Sequence, residues 1–288
     1  MVDINTVDVF SVSLGVIIMS WFFYHTQRGP FPPGPKGYPV IGNVFDIPSK
    51  REWETFTKWG KKYGEICSVR IFGQTLVILN SAKIANEMLD KKGPIYSDRP
   101  ILQMAGNLVG WKNTLILLPY GDRFRRFRRW FHGIMGSRAS VQQFSHIEEL
   151  QTHKFLQRVL KNPVGLADHV RHTAGAIILH ISHGYEVQEK NDPFVELADK
   201  ATDQISRVVM PGAWLVDVLP ILRFVPSWFP GAGFKRTAKE WASTLVDMVE
   251  YPHDFVKRSM ATGVAPVSFT SSLLEGKEIL PEEDFEIK

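Results

Sequence analysis

An uncharged apolar stretch close to the N-terminus constrains this chain more than any other feature of its sequence. No charged side chain occurs in residues 9–24, and inclusion of Val7 brings the apolar segment to about 18 residues, the lower limit for a membrane-spanning helix. Trp21 stands near its end, where aromatic side chains often mark a bilayer surface. Acidic residues precede the stretch and basic residues follow it, so the positive-inside rule places the remaining chain in the cytosol. We therefore predict a single-pass membrane anchor over residues 1–28.

Two other structures could account for the apolar stretch. A cleaved signal peptide needs a basic segment before the apolar run and small residues at a cleavage site after it, and neither is present. A helix buried in a protein core remains the plain alternative. The whole sequence contains no Asn-x-Ser/Thr glycosylation acceptor, which agrees with a body that faces the cytosol.

A proline-rich segment follows the anchor. Four of the six residues from Pro30 to Pro35 are proline. Proline fixes its own φ angle and lacks a backbone N–H, so the segment can form neither a helix nor a central strand. We predict an extended hinge over residues 29–48, between the anchor and a globular body over residues 49–288.

The body is predicted to be mainly α-helical, with one small β-sheet near its start. Alternating apolar residues predict strands at residues 66–72 and 75–79, and the Gly73-Gln74 pair between them suits a type II′ hairpin turn with glycine first. Helical periodicity and helix-end signals dominate the remainder. The predicted helices cover residues 122–135, 168–183, 193–210 and 234–260, and a further helix begins at Pro281.

Composition and charge exclude several classes of protein. The chain is 44% hydrophobic and 22% charged, which is typical of a folded protein and excludes a disordered or collagen-like chain. The formal net charge of +4 is too small to predict nucleic-acid binding. A single cysteine, Cys67, excludes a disulfide framework and any multi-cysteine metal site. Histidine pairs at 169/172 and 180/183 lack an evident third ligand, so we predict no metal centre from them.

One predicted helix carries an unusual concentration of arginine. Five arginines fall within residues 123–129, while Phe124, Phe127 and Phe131 share one helical stripe. The arginines are therefore expected mostly on the other faces of the helix. A solvated basic face is the plain interpretation, and an anionic ligand or an acidic protein partner is the functional one.

The order of segments along the whole chain resembles a known family. An apolar anchor and a proline-rich hinge are followed by a strand hairpin, the segment Tyr96-Ser97-Asp98-Arg99-Pro100, the arginine-rich helix, and Trp228-Phe229-Pro230-Gly231. This order and spacing resemble the N-terminal part of a membrane-bound cytochrome P-450, a haem-thiolate monooxygenase, of the fungal microsomal type. The resemblance implies the cytochrome P-450 fold and a location at the endoplasmic reticulum membrane with the body facing the cytosol.

The resemblance assigns a haem-binding role to two arginines. In the family, an aromatic-x-x-x-Arg pair meets the haem propionates, and this pair falls on Phe124 and Arg128. Arg128 matches and could bind a propionate through charge-assisted hydrogen bonds. Phe124 stands where the family usually has tryptophan, and its ring has no N–H to donate. Arg99 matches a second propionate partner.

The resemblance also assigns three surfaces to this chain. The segment 101–118 resembles the loop that roofs the pocket for an apolar substrate, with Met104, Leu108, Val109, Leu115 and Ile116 as its lining. The segment 205–230 resembles a region that meets the membrane, with Trp214, Trp228 and Phe229 as contacts beside Trp21 of the anchor. Arg126 and Arg129 are predicted to form an exposed basic surface for an acidic reductase.

Several motifs of the family do not occur in this sequence. The oxygen-activating Ala/Gly-Gly-x-Asp/Glu-Thr-Thr segment, the Glu-x-x-Arg pair and the loop with the iron-ligating cysteine are absent, and Cys67 lies in none of these contexts. We therefore expect a fold that is truncated where the oxygen-activating helix begins. The family inserts one oxygen atom from O2 into an apolar substrate, with electrons from NADPH through a reductase, but this chain alone is predicted to be inactive. The alternative is a membrane-anchored, non-catalytic helical protein that binds a partner through its basic helix.

Overall fold

The chain divides into two compact units, one ending at Ser97 and one spanning Asp98–Lys288. A computed structural model describes residues 31–39, 41–48, 50–210, 212–276 and 280–288. The predicted anchor over residues 1–28, including Trp21, lies outside these residues. None of the helices in the described ranges is long and apolar enough to cross a membrane.

The N-terminal unit is built on a two-stranded antiparallel sheet. The strands pair from Ile66 opposite Leu79 to Ile71 opposite Gln74. Buried Cys67, Val69 and Ile78 form a small core under the sheet. The elements of this unit are α1 (Glu52–Tyr63), β1 (Ile66–Ile71), β2 (Gln74–Leu79), α2 (Ala82–Ala85), which continues as a π-helical segment (Asn86–Lys91), and α3 (Gly93–Tyr96).

The hairpin turn differs from the predicted one. Its two central residues are Phe72 and Gly73, and both have positive φ angles, 47° and 82°. Two positive φ angles indicate a type I′ turn, whose twist matches that of the flanking strands. The prediction of a type II′ turn at Gly73-Gln74 was therefore wrong by one residue, because Gln74 already pairs with Ile71 in the ladder.

The proline-rich segment runs along β1 instead of standing apart from the unit. The Ser68 amide donates to the Pro33 carbonyl at 3.0 Å, and the Ser68 hydroxyl donates to the Pro32 carbonyl at 2.6 Å. A Cβ atom at Gly34 would lie 1.8 Å from the Ser68 carbonyl oxygen, so only glycine permits this close approach. Residues from Pro32 onward thus form part of the N-terminal unit, whereas the sequence predicted a hinge up to residue 48.

Helices are the only regular secondary structure among the described residues of the C-terminal unit, which confirms the predicted mainly α body. Its long helices end where sequence signals predict, for example at Gly184, whose φ of 65° closes the preceding helix. The elements are π-helical Gln103–Val109, α4 (Asp122–Met135), α5 (Arg138–Gln142), α6 (Ser145–Lys161), α7 (Leu166–His183), α8 (Pro193–Val208), α9 (Leu215–Val218), α10 (Gly233–Ala261), α11 (Phe269–Leu274) and α12 (Pro281–Ile287).

The main core of this unit lies where the π-helical segment meets α8, α9 and α10. Met104 and Ala105 are completely buried there. The Met104 amide donates to the Asp217 carboxylate at 2.9 Å and so ties the segment to α9. The other buried members of this core are Val109, Trp111, Ala201, Val208, Val216, Ala238 and Leu245.

Candidate functional site

The arginine-rich helix α4 has a buried aromatic residue in its first turn. Phe124 is buried, and its ring centroid lies 5.6 Å from that of Tyr120. Phe127 packs next to Trp130 one turn later, with centroids 5.4 Å apart. Arg128 lies over the Phe124 ring and Arg123 over the Phe127 ring, so the arginines are not confined to the faces away from the aromatic stripe.

Three of the five arginines form ion pairs. Arg125 donates to Asp122 at 2.5 Å, and this contact keeps the pKa of the Asp122 carboxyl below its ordinary value. Arg126 binds Glu286 of α12 at 2.6 Å, and Arg123 lies 3.6 Å from the same carboxylate. The structure therefore places Arg126 in a contact between helices, where the sequence predicted an open basic surface.

Arg128 and Arg129 are exposed on α4 and form no ion pair with any described residue. The Arg128 guanidinium lies 6.0 Å from the centre of the Phe124 ring, a distance at the edge of a cation–π contact. Phe124 therefore contributes packing beside Arg128, but no hydrogen bond. An exposed guanidinium without a carboxylate partner can accept an anionic ligand at little desolvation cost.

The segment that carries Arg99 is tied to the chain just before α4. The Asp98 carboxylate accepts hydrogen bonds from the backbone amides of Arg99 and Tyr120, both at 3.1 Å. The Arg99 side chain donates from Nε to the carbonyl of Ile116 at 3.2 Å. Arg99 and its neighbour Asp98 therefore bind Ile116 and Tyr120, which lie in the stretch that leads into α4. A site that binds one anionic ligand through both Arg99 and Arg128 would require such a link between the two segments.

The five predicted substrate-pocket residues fall into two groups. Met104 and Val109 belong to the core between α8 and α10, and Leu108 packs against that core. Leu115 is only half-buried and Ile116 is 59% exposed. The first group is enclosed by helices and the second faces outward, so the five side chains do not line one cavity in this chain. Their pocket role stays a prediction.

The three predicted membrane contacts in this unit also differ from one another. Trp228 is 79% exposed, and Phe229 is exposed beside it. Trp214 instead packs edge-on against Trp241 of α10, with centroids 5.7 Å apart, and its indole N–H donates to the Arg207 carbonyl at 3.4 Å. Of these three residues, Trp228 and Phe229 expose the larger apolar area.

The single cysteine does not fit the role of an iron ligand. Cys67 is completely buried in β1, and the Asn80 side chain donates to its sulfur at 3.5 Å. Burial raises the pKa of the thiol, which opposes formation of a thiolate. Among the described residues, no three His, Cys, Asp or Glu side chains lie close enough together to hold a metal ion.

Sequence patterns did not indicate that two carboxylates of α12 bind neighbouring helices. Glu286 binds the α4 arginines, and Asp284 lies 2.9 Å from His253 Nε2 on α10 and 3.3 Å from Lys257 Nζ. The sequence shows acidic residues in the first turn of α12, but this pattern predicts only a favourable interaction with the helix dipole and not a partner on another helix. The partners are more than 25 residues away along the chain, beyond the reach of local patterns.

Comparisons with known proteins agree with the order of segments described above. The family model described as Cytochrome P-450 matches residues 32–287. The cytochrome P-450 monooxygenase 208 of Postia placenta is 50% identical over 263 residues, which is 91% of this chain and 51% of that protein. The cytochrome P-450 monooxygenase claR of Ampulloclitocybe clavipes is 44% identical over 285 residues, 98% of this chain and 53% of that protein. The chain spans about half the length of the curated relatives it matches.

Proposed function

This chain belongs to the cytochrome P-450 family, and we propose that it forms the N-terminal half of a haem-dependent monooxygenase acting on an apolar small molecule. The observation that carries this proposal is the pair of exposed arginines, Arg99 and Arg128, on segments that Asp98 joins through Tyr120. Guanidiniums form charge-assisted, often bidentate hydrogen bonds with carboxylates, so two exposed arginines suit the two propionates of a haem.

The residues of this chain fit the propionate side of a haem and not the side of its axial ligand. Arg99 and Arg128 would hold the propionates by charge-assisted hydrogen bonds, and Phe124 would exclude water beside Arg128 without donating a bond. When bound in the family, the haem supplies the activation of O2 for insertion of one oxygen atom into the substrate. Cys67 cannot supply a thiolate from its buried position in β1.

We expect the 288-residue chain to be catalytically inactive by itself. The test is the spectrum of the reduced, carbon monoxide-bound chain after reconstitution with haem. The expected result is haem binding without the absorption band of thiolate ligation, and a weaker haem affinity for Arg128→Gln. A thiolate-type band that disappears in Cys67→Ser would overturn this assignment.

The proposed electron source is NADPH, through a reductase that docks on the basic face of α4. Arg129 supports this role because it is exposed and unpaired with any described carboxylate, whereas the charge of Arg126 is balanced by Glu286. Arg129→Glu should slow association with an acidic reductase at low salt more than Arg126→Glu does. Equal effects of the two variants in stopped-flow binding would argue against this docking face.

The proposed location is the endoplasmic reticulum membrane, with residues 1–28 as a single-pass anchor and the body in the cytosol. Trp228 and Phe229 support a second contact with the bilayer, because they expose adjacent aromatic area. Deletion of residues 1–28 should weaken the association with microsomes, and Trp228→Ser with Phe229→Ser should weaken it further. Protection of the body from protease in intact microsomes would contradict the orientation.

A further inference from the structure

Helix α12 carries two carboxylates that bind two different helices, one on each side of it. Asp284 contacts α10, at 2.9 Å from His253 Nε2 and 3.3 Å from Lys257 Nζ. Glu286, two residues later, contacts α4 through Arg126 and Arg123. Residues two apart on a helix point about 200° away from each other, so α12 lies between α4 and α10 and binds both.

Glu286 is the only described carboxylate that balances two arginines of α4. Its Oε1 lies 2.6 Å from an Arg126 terminal nitrogen and 3.6 Å from Arg123 Nε, and its side chain is only 20% exposed. The guanidinium of Arg123 is also 5.5 Å from the Phe285 ring of the same helix. The Nε atoms of both arginines are buried and have no hydrogen-bond partner in the described structure. Without Glu286, two neighbouring guanidiniums would be left partly buried and mutually repelling.

Glu286 contacts one face of α4. Arg123 and Arg126 are three residues apart and share the face that meets α12. Arg128 follows Arg126 by two residues and therefore points about 200° away, to the other side of the helix. Any rotation of α4 toward or away from α12 moves Arg128 by the same angle.

We propose that Glu286 is a positioning residue for the anion site at Arg128. It acts through Arg126 and Arg123, which it draws toward α12, so that Arg128 is held on the opposite face beside Phe124. This inference rests on the proposed function for the identity of the anion, a haem propionate. It also explains why Arg126 and Arg128, which are only two residues apart, have different roles.

The test compares Glu286→Gln with Glu282→Gln in the full 288-residue chain. Glu282 is an exposed glutamate in the first turn of the same helix and forms no ion pair with a described residue, so its replacement makes the same charge change without the contact. Two quantities are measured for each variant: the affinity for haemin by absorbance titration, and the hydrogen exchange of the amides of residues 122–135. Arg128→Gln serves as the reference for loss of the anion site.

Glu286→Gln is expected to weaken haemin binding about tenfold, as coupled residues of one network commonly do. It should also speed amide exchange in α4, while Glu282→Gln changes neither quantity. In Glu286→Gln combined with Arg128→Gln, the loss of affinity should be no larger than in Arg128→Gln alone, because Glu286 acts only through Arg128. A merely structural role would make the two losses additive.

The outcomes separate this inference from the proposed function. If the unaltered chain fails to bind haemin, the proposed propionate site is wrong, and the exchange of α4 alone decides whether Glu286 orients this helix. If the unaltered chain binds haemin and Glu286→Gln binds it equally well, the positioning role is wrong while the haem site stands. Exchange in α4 that is the same for Glu286→Gln and Glu282→Gln also overturns the inference.

Discussion

Two helical regions of the C-terminal unit bury their apolar side chains to very different extents. Around the π-helical segment, α8 and α10 enclose a continuous core in which Met104 and Ala105 have no exposed area. The pair α6 and α7 buries only Ile147, Gln151, Ala176 and Ile181 within its own helices. Large apolar side chains of this pair remain exposed, namely Leu150, Leu156, Leu160, Leu166, Val170 and Ile178.

Helical periodicity in the sequence therefore does not indicate how well a helix is packed. Both regions show apolar residues at helical spacing, and α7, α8 and α10 form close to their predicted bounds. A fully enclosed side chain contributes about 2 kcal/mol of burial, whereas an exposed one contributes little. The stability of the unit should therefore depend on the core around Met104 and much less on α6 and α7.

The largest expected effect is the loss of a side chain from the enclosed core. Met104→Ala should reduce the free energy of unfolding by about 2–5 kcal/mol, because it removes a buried side chain and leaves a cavity. Leu160→Ala, at a position that is 82% exposed on α6, should change it by less than about 0.5 kcal/mol. Urea denaturation in mild detergent measures both, and similar losses would remove the distinction between the two regions.

The start of α8 should be the next most sensitive point. Buried Asp192 accepts hydrogen bonds from the amides of Phe194, Val195 and Gln188 and from the hydroxyl of Tyr185. Asp192→Ala should cost about 2–3 kcal/mol, since it removes a helix cap and leaves buried donors unpaired. Ser137→Ala, which removes the exposed cap of α5, should cost about 1 kcal/mol or less. If both substitutions reduce the free energy of unfolding equally, burial of the Asp192 cap does not increase its contribution to stability.

The free energy of unfolding should depend on pH through a buried histidine of α7. Burial, together with the nearby His253, lowers the pKa of His183 from 6.5 to about 4. Between these two values the unfolded chain binds a proton that the folded chain refuses, so stability should fall as the pH falls from 6.5 toward 4. The slope contributed by this one group is at most about 1.4 kcal/mol per pH unit.

His183→Gln should flatten that dependence, as measured by thermal unfolding across this range of pH. The exposed His153→Gln on α6 is the matched control and should leave the profile unchanged. A profile that persists in His183→Gln would assign the effect to other groups.

The smallest effect is expected at the exposed ion pairs of α7. Arg171 lies 3.4 Å from Asp168, and both side chains are mostly exposed. Asp168→Asn should change the free energy of unfolding by less than about 0.5 kcal/mol, and added salt should abolish the change. A loss of more than about 1 kcal/mol would mean that surface ion pairs contribute substantially to the stability of α7, which buries few apolar side chains.

Much of the fold could be predicted because its signals are local. The bounds of α4 at Asp122 and Met135, the stop at Gly184 and the start of α12 at Pro281 follow from capping residues and periodicity within a few positions. The hairpin was predicted too, but its turn was placed one residue late. Phe72 is a poor candidate for a positive φ, so the position of this turn became evident only from the pairing of β1 with β2.

The candidate site could be predicted only as a set of residue types. The sequence showed five arginines on one helix and, through the family resemblance, assigned Arg128 and Arg99 to the propionates and Arg126 to a partner. It did not indicate that Glu286 would bind Arg126, because the two residues are separated by 160 positions. Nor did the prolines show that their segment would pair with β1 through Ser68.

Several helix bounds, the existence of the hairpin and the family resemblance could be derived from the sequence alone. Those properties follow from spacing, caps and motif order, which act over a few residues at a time. The tertiary structure alone decided which arginines of α4 are neutralised and which remain open to an anion. That choice depends on where a distant carboxylate comes to lie, and a charge has no preferred partner until packing has fixed the distance between helices.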